Sequence, residues 1–152
     1  HVVLPMTYGA TDEYRASVEA EAFQQNLSYT LLSEQLDDAD VAHLRLATHV
    51  LVHVQSTDSF SASVQEHLYA GSLVINGSWL PYDKLKQRGV DYDETDSLEH
   101  LVQALATAAE RVTSGSVDRS SNRRVIRDMS SWSATIDAWC GLYQEMVVRG
   151  AA

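Results

Sequence analysis

Val50-Leu51-Val52-His53-Val54 opens a stretch that runs on through Gln55-Ser56-Thr57-Asp58-Ser59-Phe60-Ser61-Ala62-Ser63-Val64-Gln65-Glu66-His67 to Gly71 and closes on Leu73-Val74-Ile75. The first five residues are apolar almost throughout, the pattern of a parallel strand covered on both faces. The polar run Gln55 to Ser59 reads as a loop. The spacing then predicts a helix from about Ser61 to Ala70, ended by Gly71 in the left-handed conformation common after a last turn. Leu73 to Ile75 is a second short apolar strand, broken by Asn76-Gly77. A strand, a crossover helix and another strand make a parallel pair, with Val50 to Val54 expected at the centre of the sheet.

The alternation continues in both directions. Val2 to Met6 reads as a strand, and Thr11 as the N-cap of a helix with Asp12 and Glu13 in its first turn and Tyr14, Val18, Ala22 and Gln25 on one stripe. Leu27 to Leu32 is the next strand, and Ser33 or Asp37 caps the helix that carries Val41, Leu44 and Ala47. Beyond the quoted stretch, Pro81 to Arg88 reads as a short helix and Val90 to Tyr92 as a brief strand. Ser97 caps a long helix with Leu98, Leu101, Val102, Leu105, Ala109 and Val112 on one stripe, and a closing helix at about 132–148 carries Trp132, Ile136, Trp139, Tyr143 and Val147. The expected fold is α/β, a Rossmann-like three-layer sandwich with a parallel sheet of four to five strands flanked by helices.

At 152 residues the chain fits one domain, 1–152, and 45% hydrophobic with 21% charged residues is an ordinary globular balance. The single cysteine, Cys140, forbids an internal disulfide and reads as a buried small residue; a reducing compartment follows as the expectation. No apolar run approaches the ~20 residues of a membrane span, so no transmembrane segment and a cytoplasmic location are expected. The net charge is −10, and residues 1–83 hold eleven acidic side chains against only Arg15 and Arg45. A polyanion is repelled by that surface, which disfavours nucleic acid as a partner. Any phosphate bound here is held mainly by backbone amides at a helix start.

In parallel sheets ligands gather at the carboxyl ends of the strands, which points to the loop after Val54. Amides near Ser61 to Val64 are free to hold an anionic oxygen, with neighbouring hydroxyls as extra donors. Asp58 lies at the strand's end and Glu66 eight residues further on, so both carboxylates can accept from sugar hydroxyls beside a phosphate. Spacing alone also fits a simple capped helix.

The segment resembles the nucleotide-sugar motif of bacterial retaining glycosyltransferases of GT-B architecture, group 1 type, in their C-terminal, donor-binding half. Asp58-x7-Glu66 keeps the family's spacing of two acidic residues, Phe60 its aromatic, Ala70-Gly71 its helix end and Leu73-Val74-Ile75 its strand. Pro5-Met6-Thr7-Tyr8-Gly9, the lead-in Asp40 to Val54 and the Trp132 to Tyr143 stripe match in order. Asp58 replaces the usual Glu, and Ser59 and Ser61 replace glycines. The resemblance implies a catalytic pair, Asp58 and Glu66, in which Glu66 accepts from ribose hydroxyls. It implies that Ser63 and Val64 offer amides to the diphosphate, helped by the Ser61 hydroxyl, that Asp58, Ser59 and Phe60 face the transferred sugar, and that Leu32 and Ser33 meet the base. The donor is a nucleoside-diphosphate sugar, with no metal and no further cofactor. The acceptor is a glycan or lipid-linked molecule held by an N-terminal domain outside this chain; polysaccharide assembly, an inactive isolated fragment, and a full-length form at the periphery of the inner membrane are further expectations. A non-enzymatic flavodoxin-like or receiver-like regulatory domain is the alternative, though no acidic pair follows Met6.

Three single residues or groups have competing readings. His49 and His53 are read as core or hydrogen-bonding residues rather than metal ligands. His67 either orients the Glu66 carboxylate or faces solvent, and Trp79-Leu80-Pro81-Tyr82 either packs on a sugar or plugs the core.

Overall fold

The computed structural model describes residues 1–116 and 119–150. The chain forms two compact units, His1–Ala42 and His43–Ala152. In the first, β1 (Val2–Pro5), α1 (Asp12–Gln24) and β2 (Tyr29–Leu32) form a crossover whose strands pair in parallel, Val2 opposite Tyr29 and Pro5 opposite Leu32. Thr11 caps α1 as its sequence predicts, its hydroxyl accepting from the Tyr14 amide at 3.2 Å. The expected stripe on α1 is covered only in part: Ala22 is buried, whereas Tyr14 is exposed. Asp37 caps α2 (Asp38–Ala47), accepting from the Asp40 amide at 2.8 Å.

The second unit holds β3 (Val50–His53), α3 (Ala62–Ala70), β4 (Leu73–Gly77), α4 (Asp83–Gln87), β5 (Asp93–Thr95), α5 (Leu101–Ser114), α6 (Arg119–Ser130) and α7 (Trp132–Gly150). Its three strands are parallel in the order β3-β4-β5, with His53 opposite Asn76 and Ile75 opposite Asp93. The fold is therefore α/β with parallel strands in two small open sheets of two and three strands. Every residue of β4 is buried. Successive side chains of a strand point to opposite faces, and β4 uses both. Val74 packs with Val64 and Leu68 of α3, Tyr82, Leu85 and Ile126 of α6, while Leu73 and Ile75 pack with Ala104 and Ala108 of α5.

Four expectations are corrected here. β4, not β3, is the middle strand of its sheet; β3 lies at the edge and Val52 is 39% exposed. An apolar run shows that a strand is short of water-loving side chains, and it does not show which edge is paired. Asn76 and Gly77 continue β4 instead of breaking it, because the Asn76 amide group finds partners inside the core. The third strand of the sheet is Asp93–Thr95, later than Val90 to Tyr92, whose Val90 and Tyr92 side chains serve the core. Cys140 is exposed, as is most of the apolar stripe of α7, which packs on α6.

Candidate functional site

The loop from Val54 to Ser61 leaves the carboxyl end of β3 and enters α3, a helix of nine residues. Ser61 is the N-cap: its hydroxyl accepts from the Ser63 amide at 3.1 Å, satisfying one of the donors that every helix start leaves without an intrahelical acceptor. Gly71 ends the helix at φ 99°, its amide donating to the His67 carbonyl, as the sequence predicts. Phe60 has φ 73°, a left-handed conformation that is uncommon for a bulky side chain and is held here by its surroundings. Its ring stacks on Tyr82 with centroids 5.4 Å apart.

Asp58 is drawn inward. Its Oδ2 accepts from the Tyr82 hydroxyl and from the Ser61 amide at 3.1 Å, and lies 3.4 Å from Nε2 of His53. Burial pushes this carboxyl up; hydrogen bonds from Tyr82, Ser61 and Ser59, together with the charge of His53, outweigh it and hold Asp58 below the usual carboxylate value. The Tyr82 hydroxyl is pushed well above its ordinary value by burial and by the bond to Asp58, so it stays a donor. His53 is buried, and its Nδ1 lies 2.8 Å from Oδ1 of Asn76. Because Asn76 Nδ2 donates to the Gly77 carbonyl at 3.0 Å, Oδ1 is the acceptor and the hydrogen sits on Nδ1 of the imidazole. The hydrogen-bonding role of His53 is as expected, and its Nε2 makes no hydrogen bond.

Glu66 stands apart from this network. Its half-exposed carboxylate pairs with Arg45 at 3.2 Å. His67 neither orients Glu66 nor faces solvent, which corrects both readings. It is buried, bonded through Nδ1 to the Ser72 hydroxyl at 3.0 Å, and Ser72 donates in turn to the Thr48 carbonyl at 2.9 Å. Loss of hydration, with Arg45 nearby, lowers the His67 pKa to about 4. Of the remaining candidates, Ser59 is exposed, Ser63 half-buried, and Val64 has its side chain in the core. Leu32 ends β2 half-buried, with exposed Ser33 after it, in the first unit.

The Trp79 to Tyr82 segment does two jobs at once. Leu80 and Tyr82 plug the core, while Trp79 is partly exposed and donates from Nε1 to the Gln55 carbonyl at 2.7 Å. A Cβ at residue 77 would lie 2.5 Å from the Trp79 ring, so that close approach requires Gly77. Sequence reasoning missed Tyr82 as a partner of the loop and Asn76 as the partner of His53; both pairs are separated by some twenty residues, and the parallel register of β3 with β4 sets His53 opposite Asn76. An open depression of about 690 Å³ beside β5, lined by Ser78, Glu94, Thr95, Asp96 and His100 among others, includes none of the predicted site residues.

Among the described residues no group of three His, Cys, Asp or Glu side chains is gathered closely enough to hold a metal ion, and no helix is long and apolar enough to cross a membrane. No protein-family model, no curated protein and no solved structure matches the chain. The sequence leads one to expect free amides near Ser61 to Val64, and two are not free: the Ser61 amide donates to Asp58 and to the Tyr82 hydroxyl, and the Ser63 amide donates to the Ser61 hydroxyl, because the loop caps its own helix, with one carboxylate locked in place and a second half-exposed.

Proposed function

We propose that the chain is the nucleotide-sugar-binding half of a retaining glycosyltransferase of GT-B architecture, in which a Rossmann-like parallel sheet of four to five strands carries the donor. The observation that supports this reading best is the loop Asp58 to Ser63: it leaves the carboxyl end of a parallel strand and enters a serine-capped helix, the place where such sheets bind phosphate-bearing ligands. The diphosphate accepts from the Val64 amide and takes the place of the Ser61 hydroxyl on the Ser63 amide, leaving that hydroxyl to turn and donate to it. Glu66 accepts from the ribose, with Arg45 orienting its carboxylate. Ser59 and Phe60 face the transferred sugar, and the inward-held Asp58 keeps them in place. In transfer, the leaving diphosphate gathers charge, and a helix start supplies fixed dipoles that stabilise it without reorganising. The acceptor, a glycan or lipid-linked molecule, is bound by a further domain, and the 152-residue chain alone transfers no sugar. The proposed place of work is the cytoplasm, with the complete enzyme at the inner face of the membrane.

Thermal stabilisation of the purified chain by uridine, guanosine, adenosine and thymidine diphosphates tests the reading. A rise in midpoint with at least one of them supports it. No response to any, with stabilisation instead by Mg²⁺ and a phosphoryl mimic, would replace it with the receiver-like alternative.

A further inference from the structure

We propose that Trp79 is the stacking platform for the sugar ring of the donor: the open part of its indole meets the apolar C–H face of a hexose carried on the diphosphate. The inference rests on the donor-binding reading and adds to it the residue that supplies affinity for the sugar, from the turn after β4.

The resemblance gives the aromatic contact to Phe60, but the Phe60 ring is stacked on Tyr82 and one of its faces is taken there. Trp79 is placed otherwise. It follows the carboxyl end of β4 as Gln55 follows that of β3, and the two strands pair in parallel with His53 opposite Asn76. Its Nε1 donates to the Gln55 carbonyl at 2.7 Å, which ties the indole to the start of the loop that enters α3. Its six-membered ring lies so close to the Gly77 backbone that a Cβ there would sit 2.5 Å from Cζ2. The turn beneath is closed as well, since the Leu80 amide donates to the Gly77 carbonyl at 3.0 Å and the Ser78 amide to the Thr95 carbonyl at 2.9 Å. An indole held at its nitrogen and across its six-membered ring has little freedom to turn. Yet Trp79 is 42% exposed, while Leu80 and Tyr82 of the same segment are buried. The chain thus leaves a large apolar surface in water and fixes its orientation, and a group ordered before its ligand arrives removes that ordering from the cost of binding.

The chemistry of that surface selects the ligand. The face of an aromatic ring carries partial negative charge, so it favours the weakly positive C–H groups that line one face of a pyranose, and the sugar hydroxyls stay free for water or polar neighbours. Such neighbours begin at the adjacent residue. Ser78 lines the open depression of about 690 Å³, together with the hydrogen-bonding side chains of Asp96, His100 and Gln103. Position agrees, because the carboxyl ends of neighbouring parallel strands are where such sheets hold ligands.

The test is calorimetric titration of wild type, Trp79→Ala and Gly77→Ala with uridine, guanosine, adenosine and thymidine diphosphates and with the glucose ester of each. Trp79→Ala removes the platform, whereas Gly77→Ala keeps the indole and pushes its ring off the backbone. Wild type is expected to bind at least one diphosphate and its ester. Trp79→Ala should weaken the ester roughly tenfold, the size set by losing about 50 Å² of apolar contact, and leave the diphosphate unchanged. Gly77→Ala should lose ester affinity in the same direction, and Trp79→Phe, a smaller platform, should recover part of it. If Trp79→Ala fails to fold, Gly77→Ala and Trp79→Phe carry the comparison. Equal loss of diphosphate and ester in Trp79→Ala, the mark of a stacked base, overturns the sugar platform and leaves the donor-binding reading standing. Unchanged affinity for both, or a wild type that binds a diphosphate and not its ester, does the same. Wild type that binds neither diphosphates nor esters overturns both.

Discussion

The crossover from β3 through α3 to β4 and the final helix α7 carry comparable apolar periodicity and end in opposite environments. All residues from Gly71 to Gly77 are buried, whereas Trp132 is 73% exposed and Val147 72%. The difference lies in neighbours. β4 has a strand on each edge, α3 on one face and α5 on the other; α7 packs on α6. Hydrophobic spacing thus says which face of an element seeks cover, and only topology says whether this chain supplies it. The polar groups follow the same division in part: the buried His53, His67, Ser72 and Asn76 side chains all lie on the crossover.

Substitutions sharpen the contrast. Leu68→Ala, at a fully buried position between α3 and β4, should cost ~2–5 kcal/mol in denaturant unfolding, because the cavity is walled by residues that cannot collapse into it. A loss under about 1 kcal/mol would show that the core is looser than its burial implies.

His67 gives the next effect. Its pKa in the folded chain is lowered to about 4 from an ordinary 6.5, so between those values the unfolded chain binds a proton that the folded chain refuses. Stability is therefore full above pH 6.5, falls as the pH is lowered toward 4 and levels off below, at about 1.4 kcal/mol for each unit of displacement. Unfolding curves across this window should show the slope in wild type and a flatter one in His67→Gln; identical slopes would place the titrating group elsewhere.

Asp58→Asn should cost ~1–3 kcal/mol, since an amide cannot accept both the tyrosine hydroxyl and the Ser61 amide with the strength of a carboxylate. The effect should shrink as the pH falls below the ordinary carboxylate value, where the unfolded chain takes a proton that the folded Asp58 still refuses; a cost that is flat with pH would mean that shape rather than charge is at stake. At the far end of the scale, Val147→Ser on α7 should change stability by about 0.5 kcal/mol or less. A larger loss would reveal cover on α7 and undo the contrast.

How far the sequence was legible follows the reach of each interaction. Thr11, Asp37, Ser61 and Gly71 act within one turn of themselves: Thr11 and Gly71 end the helices they were expected to end, Asp37 is the one of two expected caps that serves, and Ser61, expected at about the start of its helix, is the cap. The parallel pairing of β3 with β4 was legible too, because a strand, a nine-residue helix and a strand leave few other connections. What was hidden is non-local. That β4 is central depends on β5 pairing from a different part of the chain, and that His67 turns to Ser72 and Thr48 depends on where α2 ends against β4. Tyr82 was noticed as an aromatic in a loop, but its hydroxyl's place beside Asp58 is set by a register that spacing does not encode. Cys140 shows the converse failure, an apolar position on a helix face that the chain leaves open.

The central claim is that the start of α3 binds a nucleoside diphosphate with Glu66 on its ribose. Calorimetric titration of the best-binding nucleoside diphosphate, and of pyrophosphate, into wild type and Glu66→Gln tests it most directly. The substitution turns one acceptor oxygen into a donor on a half-exposed residue whose pair with Arg45 contributes at most about 1 kcal/mol to folding, so the chain should remain folded. Nucleotide affinity should fall roughly tenfold to a hundredfold with the loss of charge-assisted bonds, and pyrophosphate affinity should hold. Equal nucleotide affinity in the two proteins would contradict the account and leave the loop as a capped helix with a well-wired start.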